Sequence, residues 1–175
     1  MEIPLTQGLV ALVDDGDYER CASVGKWRAA SPNGTHFYAI HNTSRASGQK
    51  RTTIQMHRLI LDASRGTVVD HISGDGLDNR RSNLRLCTHA QNSQNRKPWK
   101  GSSSRFLGVY LQKTAVRYGC KRVWAAAIGR YPTKRHLGTF ETEVEAALAY
   151  DCAAREWYGE FARPNFPENA GHNVA

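Results

Sequence analysis

Hydrophobic residues in the first 45 positions come in short runs that polar residues interrupt. Residues 8–30 hold several such runs, cut by the Asp-Asp-Gly-Asp segment at 14–17, and residues 35–43 form another run after a Pro-Asn-Gly turn signal. Short β-branched and apolar runs between turn residues are typical of strands joined by tight connections. The pattern therefore predicts a small β meander at the N-terminus.

The middle of the chain alternates between β-rich and polar segments. Residues 53–61 fit a short helix or a strand, 67–72 a strand, 73–83 a polar loop and 84–87 a second strand. Thr88 lies three positions before Gln91, which is the spacing of a capping box, and this predicts a helix over 89–96. Pro98 ends that helix because its ring disfavours helical geometry in the preceding residue.

The last third of the chain has three β-rich runs followed by one helical pattern. The runs lie at 106–112, 122–130 and 134–140, and the helix begins at a second capping box, formed by Thr142 and Glu145, and closes at Gly159. On the second run Trp124, Ala126 and Ile128 alternate, so we expect them to share the face that packs on the alanine-rich helix.

These elements predict an α+β protein in two parts. Residues 1–97 form a small N-terminal β meander with a strand, loop, strand and helix unit at about 53–97, and residues 105–167 form a three-stranded antiparallel sheet packed on one helix. The basic, then Gly- and Ser-rich stretch at 98–104 is interpreted as a linker, and 168–175 as a tail.

Charge is concentrated in the middle of the chain. The 175 residues carry 24 Lys and Arg against 16 Asp and Glu, a formal net charge of +8. Residues 45–135 alone hold 19 basic and 4 acidic side chains, whereas the segments on either side are acidic overall. Such a stretch attracts a polyanion and releases its counterions on binding, although a solvated basic surface gives the same composition. Double-stranded DNA is the expected partner.

The sequence also disfavours two classes of protein, those that span a membrane and those that are secreted. No apolar run approaches the roughly 18 to 20 residues that cross a bilayer, and the N-terminal MEIPLTQ lacks the basic and apolar regions of a signal peptide. We therefore expect no membrane partner and a cytoplasmic location. The cysteines are widely spaced, at Cys21, Cys87, Cys120 and Cys152, without the paired spacing of a zinc site. They are interpreted as buried reduced thiols, so a metal would use oxygen or imidazole ligands.

An ordered set of polar residues occupies the strand, loop, strand and helix unit. The chain reads DHISGDGLDNRRSNL from Asp70, and then QNSQN from Gln91. This set resembles the HNH endonuclease family, in its homing-type branch without a zinc ribbon. The resemblance implies a ββα fold that grips one divalent metal, with Asp70 and Asn92 as metal ligands, His71 as general base and Asn83 as the residue that fixes the histidine.

The residue types agree with that chemistry, but each alone has a simpler explanation. A carboxylate and an amide oxygen favour Mg²⁺ or Mn²⁺ over zinc. Asn79 and Asn83 could equally be turn residues, and a single histidine is more often a packed core residue. Asp70 and His71 should point to opposite faces of an extended strand, so we expect twist or a bulge near Ile72 to bring them together. His57 and His89 remain open, as packing, capping or phosphate-contacting residues.

The C-terminal segment resembles a second family. The marks LGTF at 137–140, EAALAYD at 145–151 and GEFARPNFP at 159–167 are similar to the APETALA/ethylene-response-factor DNA-binding domain, whose sheet enters the major groove. The family places arginines where this chain has Leu107, Tyr110, Gln112 and Gly129, so the plant target sequence should not transfer. The candidate DNA contacts are Arg80, Arg81, Arg85 and Arg96 in the first part and Tyr110, Gln112, Lys113, Arg117, Lys121, Arg122, Lys134 and His136 in the second.

The sequence thus predicts a metal-dependent DNA endonuclease of HNH type that acts as a monomer or weak dimer and nicks its substrate. Chains of this kind are often encoded by phages or mobile elements. Two rivals stay open: a DNA-binding regulator with a degenerate nuclease unit, and an RNA-binding module. Labelled duplex DNA tested against structured RNA, with and without Mg²⁺, would separate the three.

Overall fold

The computed structural model describes residues 1–32, 34–43, 52–96, 98, 101–112, 123–129 and 133–167. These fall into two compact units, Met1–Asn92 and Ser93–Ala175. The α+β prediction is confirmed. The division falls a few residues before the predicted linker at 98–104, and the proposed domain boundaries stay a prediction. In the part of the chain that the structure describes, no helix is both long and apolar enough to span a bilayer.

The first unit contains three small antiparallel sheets and three short helices. In chain order its elements are β1 (Glu2–Pro4), β2 (Val10–Leu12), α1 (Asp15–Ser23), β3 (Arg28–Ala30), β4 (Tyr38–Asn42), β5 (Thr53–Gln55), α2 (Met56–Ile60), β6 (Val68–His71), a 3₁₀ turn (Arg81–Asn83), β7 (Leu84–Cys87) and α3 (His89–Gln94). β1 pairs with β2, β6 pairs with β7, and β4 lies between β3 and β5.

Helix α1 is a difference from the predicted meander. The segment around 14–17 reads as a turn, but Asp15 and Asp17 lie in the first turn of the helix, where their charges stabilise its N-terminus. Gly25, with φ of +108°, follows the helix end and its N–H bonds to Ala22 O at 3.2 Å. Strands therefore form only at the two ends of residues 8–30.

The core of the first unit forms around Trp27, which is 2% exposed and donates its indole N–H to Cys21 O at 2.8 Å. The buried apolar residues are Ile3, Ala11, Val13, Cys21, Trp27, Ala39, Met56, Ile60 and Leu84. They come from β1, β2, α1, β4, α2 and β7. This core therefore places the N-terminal elements against the elements that carry Asp70 and His71.

One ion pair joins α1 to the turn before β7. Arg81 donates from Nε and Nη2 to the two carboxylate oxygens of Asp17, each at 2.7 Å, and from Nη2 to Ile60 O at 2.9 Å. Its backbone N–H also bonds to Asp14 Oδ2 at 2.7 Å. A single side chain thus fixes the 3₁₀ turn against both α1 and α2.

The second unit has the predicted sheet and helix. β8 (Val109–Leu111), β9 (Trp124–Ile128) and β10 (Arg135–Phe140) form an antiparallel sheet with β9 in the centre, followed by α4 (Glu143–Tyr158) and a 3₁₀ turn (Gly159–Phe161). The Thr142–Glu145 capping box is present. Trp124, Ala126 and Ile128 pack in one cluster with buried α4 residues, which confirms the expected face.

Small side chains let α4 approach the sheet closely. Ala146, Ala147 and Ala154 are fully buried against Ala126 and its neighbours. Cys21 and Cys87 are free and buried, as expected, but Cys152 is exposed on α4, which corrects that part of the thiol prediction. Cys120 lies outside the described residues.

A buried carboxylate on α4 holds the segment that follows this helix against it. Asp151, which is 1% exposed, accepts from Asn165 N at 2.7 Å, Asn165 Nδ2 at 3.0 Å and Phe166 N at 2.8 Å. The Asn165 amide in turn bonds both the N–H and the carbonyl of Leu107, at 2.7 and 3.1 Å. Asn165 therefore joins the segment after α4 both to α4, through Asp151, and to the segment before β8, through Leu107.

We expect Asp151→Ala to lower the free energy of unfolding by about 3 kcal/mol, since hydrogen bonds to a charged group contribute about 1.5–3 kcal/mol each and their donors would be left unpaired. Urea unfolding of the full chain measures this. Glu156→Ala, an exposed change on the same helix, is the matched control and should stay within about 0.5 kcal/mol of wild type. Equal stability of the two variants would contradict the assignment.

Candidate functional site

Asp70 and His71 lie at the end of β6 and face opposite sides of the β6–β7 hairpin. Asp70 pairs with Arg85 and His71 with Leu84 in a ladder that is regular from Val68 to His71. Alternation along a strand puts neighbouring side chains on opposite faces. The expected twist or bulge near Ile72 lies beyond the last pair of this ladder, so a common site for the two side chains stays a prediction.

Arg85 holds the Asp70 carboxylate. Its Nε and Nη2 donate to Asp70 Oδ2 at 2.9 and 2.7 Å, and the two side chains are only 12% and 6% exposed. A buried carboxylate needs such a partner because desolvation penalises an isolated charge. Asp70 is therefore kept on the same face as Cys87, the last residue of β7.

His71 packs in a cluster of three rings. The His57 ring meets it edge to face, with centroids 5.0 Å apart and planes at 84°, and the Tyr38 ring lies 5.8 Å from His71 and 5.9 Å from His57. These residues come from β4, α2 and β6, and both histidines are buried. His57 therefore packs beside the candidate base, and Tyr38 is a neighbour that the sequence pattern did not indicate.

Burial lowers the pKa of both histidines, which favours the neutral imidazole. It lowers the pKa of His57 to about 3, with further lowering from His71 and Arg58. Burial also lowers the pKa of His71, while hydrogen bonding with Asn79 and the charges of nearby aspartates oppose that shift. A neutral imidazole can accept a proton, so His71 has the protonation state that a general base requires.

Two asparagines shape the loop between β6 and β7. The Asn83 side-chain amide accepts a hydrogen bond from Ser73 N at 2.8 Å and donates one to Asp78 O at 2.7 Å. The backbone carbonyl of Asn83 accepts a hydrogen bond from Ile72 N at 2.9 Å. Asn83 thus fixes the chain directly after His71. The ring itself interacts with Asn79, which is fully buried. Nothing in the spacing distinguishes Asn79 from an ordinary turn residue, so sequence reasoning missed this contact.

The same loop is held against the rest of the unit. Leu12 N donates to Leu77 O at 2.9 Å and Asn79 N to Leu12 O at 2.8 Å, which joins the loop to β2. A Cβ at Gly76 would collide with Phe37 O and lie 2.7 Å from the Tyr38 ring. Glycine is therefore required where the loop crosses β4.

Asn92 lies in α3, the helix that follows β7. The predicted Thr88–Gln91 capping box is present, with Gln91 N bonded to Thr88 Oγ1 at 3.2 Å and Thr88 N to Gln91 Oε1 at 2.8 Å. Burial and the Asp70 charge raise the pKa of the Cys87 thiol, while a hydrogen bond with the Asn92 backbone lowers it. Cys87 is thus a common neighbour of Asp70 and Asn92. Asn92 and His89 are both exposed.

The oxygen donors in this region fit a hard divalent cation. No group of three or more His, Cys, Asp or Glu residues suited to a metal occurs in the described ranges. Asp70 and Asn92 offer one carboxylate and one amide oxygen, and Mg²⁺ commonly binds through one or two such ligands together with waters and substrate phosphates. These two residues would hold the ion.

The predicted arginine contacts have partners within the protein. Arg80 donates to Asp78 at 2.8 and 2.7 Å, Arg81 is bound to Asp17, and Arg85 is bound to Asp70. Arg96 belongs to the second unit, where its charge acts on Tyr150. Their contacts with DNA stay a prediction.

The open face of the C-terminal sheet carries two polar contact groups, one around Tyr110 and one formed by Gln112 and Thr139. Tyr110 Oη lies 3.5 Å from His136 Nδ1, Lys134 Nζ lies 4.9 Å from the centre of the Tyr110 ring, and Thr139 donates to Gln112 Oε1 at 3.3 Å. The structure thus places four predicted contact residues in these two groups and adds Thr139. The other candidates, Lys113, Arg117, Lys121 and Arg122, lie outside the described residues.

Comparison with known proteins finds one set of relatives for the middle of the chain and another for the C-terminal region. Residues 55–94 match the family model for HNH endonuclease. A protein of Acanthamoeba polyphaga mimivirus described as an uncharacterized HNH endonuclease is 35% identical over 118 residues, which cover 64% of this chain and 57% of the viral protein.

Transcription-factor relatives match the C-terminal region. Dehydration-responsive element-binding protein 2E of Arabidopsis thaliana is 66% identical over 35 residues, which cover 20% of this chain and 14% of that protein. APETALA2-like protein 2 of Oryza sativa subsp. indica is 47% identical over 74 residues, covering 41% and 15% respectively. The chain thus spans just over half the viral relative and about a seventh of the plant proteins. No solved structure matches.

We expect Gly76→Ala to lower the free energy of unfolding by about 1–3 kcal/mol, because the added methyl group must displace either the loop or the Tyr38 ring. Urea unfolding measures the change. The control is Gly16→Ala in α1, where a Cβ meets no atom within 4 Å, and which should be neutral or stabilising by up to about 1 kcal/mol. If both variants are as stable as wild type, the loop does not depend on this close approach.

Proposed function

We propose that the protein is a metal-dependent DNA endonuclease in which His71 acts as the general base and Asp70 and Asn92 bind Mg²⁺ or Mn²⁺. The observation that carries the proposal is the buried His71 ring, packed against His57 and Tyr38 and adjacent to Asp70, within the segment that matches the HNH endonuclease family model. The mimivirus protein, by its name, belongs to the same class of nuclease.

The proposed reaction hydrolyses a phosphodiester and leaves a 5′ phosphate and a 3′ hydroxyl. His71 accepts a proton from the attacking water, and the loop held by Asn83 fixes the backbone after the base. A bound divalent cation supplies charge stabilisation to the phosphate and the leaving oxygen. Arg85 orients Asp70, so that one carboxylate serves the metal site in a defined position.

We also propose that the C-terminal sheet recognises DNA sequence. Its open face carries Tyr110, Gln112, Lys134 and His136, and the plant relatives of this region include proteins named for binding a DNA element. Phosphate contacts position a duplex, whereas side chains that reach base edges specify it. The sheet face would therefore supply the specificity that the nuclease domain lacks.

Three finer features belong to the same proposal. One HNH domain provides one active site, so a monomer nicks one strand. The viral relative is consistent with a phage or viral origin, and a homing-type role rests on the sequence resemblance alone. The second candidate function is a DNA-binding regulator without catalysis, which the plant transcription factors favour.

His71→Ala should reduce cleavage of a supercoiled plasmid or labelled duplex at least about a hundredfold, within the range for loss of a general base, while DNA binding persists. Wild-type cleavage should stop in EDTA and return with Mg²⁺. His36→Ala, a histidine outside the site, should cleave like wild type. Near wild-type cleavage by His71→Ala would eliminate the assigned base, and absence of any wild-type cleavage of duplex DNA or structured RNA would favour the regulator.

The combined variant Tyr110→Ala, Gln112→Ala, His136→Ala should still nick DNA but with a broader sequence preference, because the sheet would lose groups that reach base edges. Sequencing of cut ends from a randomised duplex library measures the preference. Glu156→Ala, an exposed change outside the candidate DNA contacts, is the control and should keep the wild-type preference. Thermal unfolding shows whether the combined variant is folded. An unchanged cleavage motif in a folded variant would place sequence recognition in the first unit.

A further inference from the structure

A groove in the first unit has a strongly basic lining. It has a volume of about 460 Å³ and its polar lining residues are Gln55, His57, Arg58, Arg65, Thr67 and His89. The remaining lining residues are glycine and valine, and none is acidic. Two guanidinium groups without an opposing carboxylate in the lining make this groove suited to an anion. We refer to it as the basic groove.

Arg58 contributes a fixed charge to the basic groove. Its guanidinium donates to Thr67 O at 2.6 Å, Ser64 O at 2.7 Å and Ala63 O at 3.1 Å. These bonds go to neutral carbonyls, so they orient the side chain without cancelling its charge. They also set the path of the turn that carries Arg65.

Arg65 lies on the same turn and is the exposed cation of the groove. It has no hydrogen-bond or ion-pair partner among the residues that the structure describes. This contrasts with Arg80, Arg81 and Arg85, whose guanidinium groups are bound to aspartates. The planar guanidinium of Arg matches the geometry of a phosphate and can bind it through two parallel hydrogen bonds.

The basic groove adjoins the candidate base through one side chain. His57 lines the groove, and its ring also meets the His71 ring with centroids 5.0 Å apart. Val68 and Val69 line the groove from β6, the strand that ends at Asp70 and His71. An anion in the groove is thus separated from the base by about one imidazole ring.

We propose that the basic groove binds a backbone phosphate of the DNA strand that is cut, next to the scissile phosphate, with Arg65 as the direct contact and Arg58 as a fixed supporting charge. This inference rests on the proposed nuclease function and deepens it. Arg65 is a substrate-binding residue, and the groove sets which phosphate along the strand reaches His71.

The test compares Arg65→Gln with Lys26→Gln in the full chain. Lys26 is an exposed cation of the same unit outside the groove, so the pair has the same change of charge. Arg65→Gln should raise KM for nicking of a labelled duplex about tenfold, more than it lowers kcat. It should also reduce the slope of log affinity against log salt by about one, as expected for one lost phosphate contact. Lys26→Gln should change KM less than about twofold.

Equilibrium binding of the same duplex in EDTA, followed by fluorescence anisotropy at several salt concentrations, gives a second readout that needs no catalysis. A wild-type protein that binds but never nicks would refute the proposed function, while the binding comparison would still test the groove. Equal effects of Arg65→Gln and Lys26→Gln on affinity and salt slope would overturn the groove assignment. So would a loss confined to kcat.

Discussion

The hydrogen bonds of the Asn83 amide to Ser73 N and Asp78 O determine the geometry around His71. The two strands are joined by twelve residues of mostly polar chain, and these side-chain bonds add to the backbone bond from Ile72 N to Asn83 O in closing the loop. The closed loop brings Asn79 to the His71 ring and Gly76 to Tyr38. The Asn83 amide therefore stabilises a loop that follows the β6–β7 pairing, contacts the rings of His71 and Tyr38, and is hydrogen-bonded to β2.

Much of the fold could be predicted because its signals are local. The capping boxes at Thr88 and Thr142 mark real helix starts, and alternation in 124–128 identifies the face that packs on α4. Helix α1 was missed because its acidic start resembles a turn and only a distant partner, Arg81, explains the burial of Asp17. The Tyr38 contact also depends on tertiary packing, and no spacing rule relates it to His71.

Ion pairs within the first unit reduce the number of cations in the basic middle segment that are available to bind a polyanion. Arg80, Arg81 and Arg85 are bound to Asp78, Asp17 and Asp70, so these cations stabilise loop and hairpin geometry. The charge that remains for a polyanion then rests on residues such as Arg65 and Lys134, which have no carboxylate partner among the described residues. Composition measures the total charge, whereas the structure separates the cations with acidic partners from those without.

The bonds that join Asn165 to Leu107 and Asp151 have a consequence for biosynthesis. Domains generally fold as units while the chain emerges from the ribosome, the N-terminal one first. The first unit has all its core residues by Leu84 and can pack once its own helix and hairpin have emerged. The second unit lacks the partner of Leu107 until Asn165 is outside the exit tunnel, so its closure comes after the first unit has been able to fold. The unit that carries Asp70 and His71 is therefore built before the segment proposed to recognise DNA.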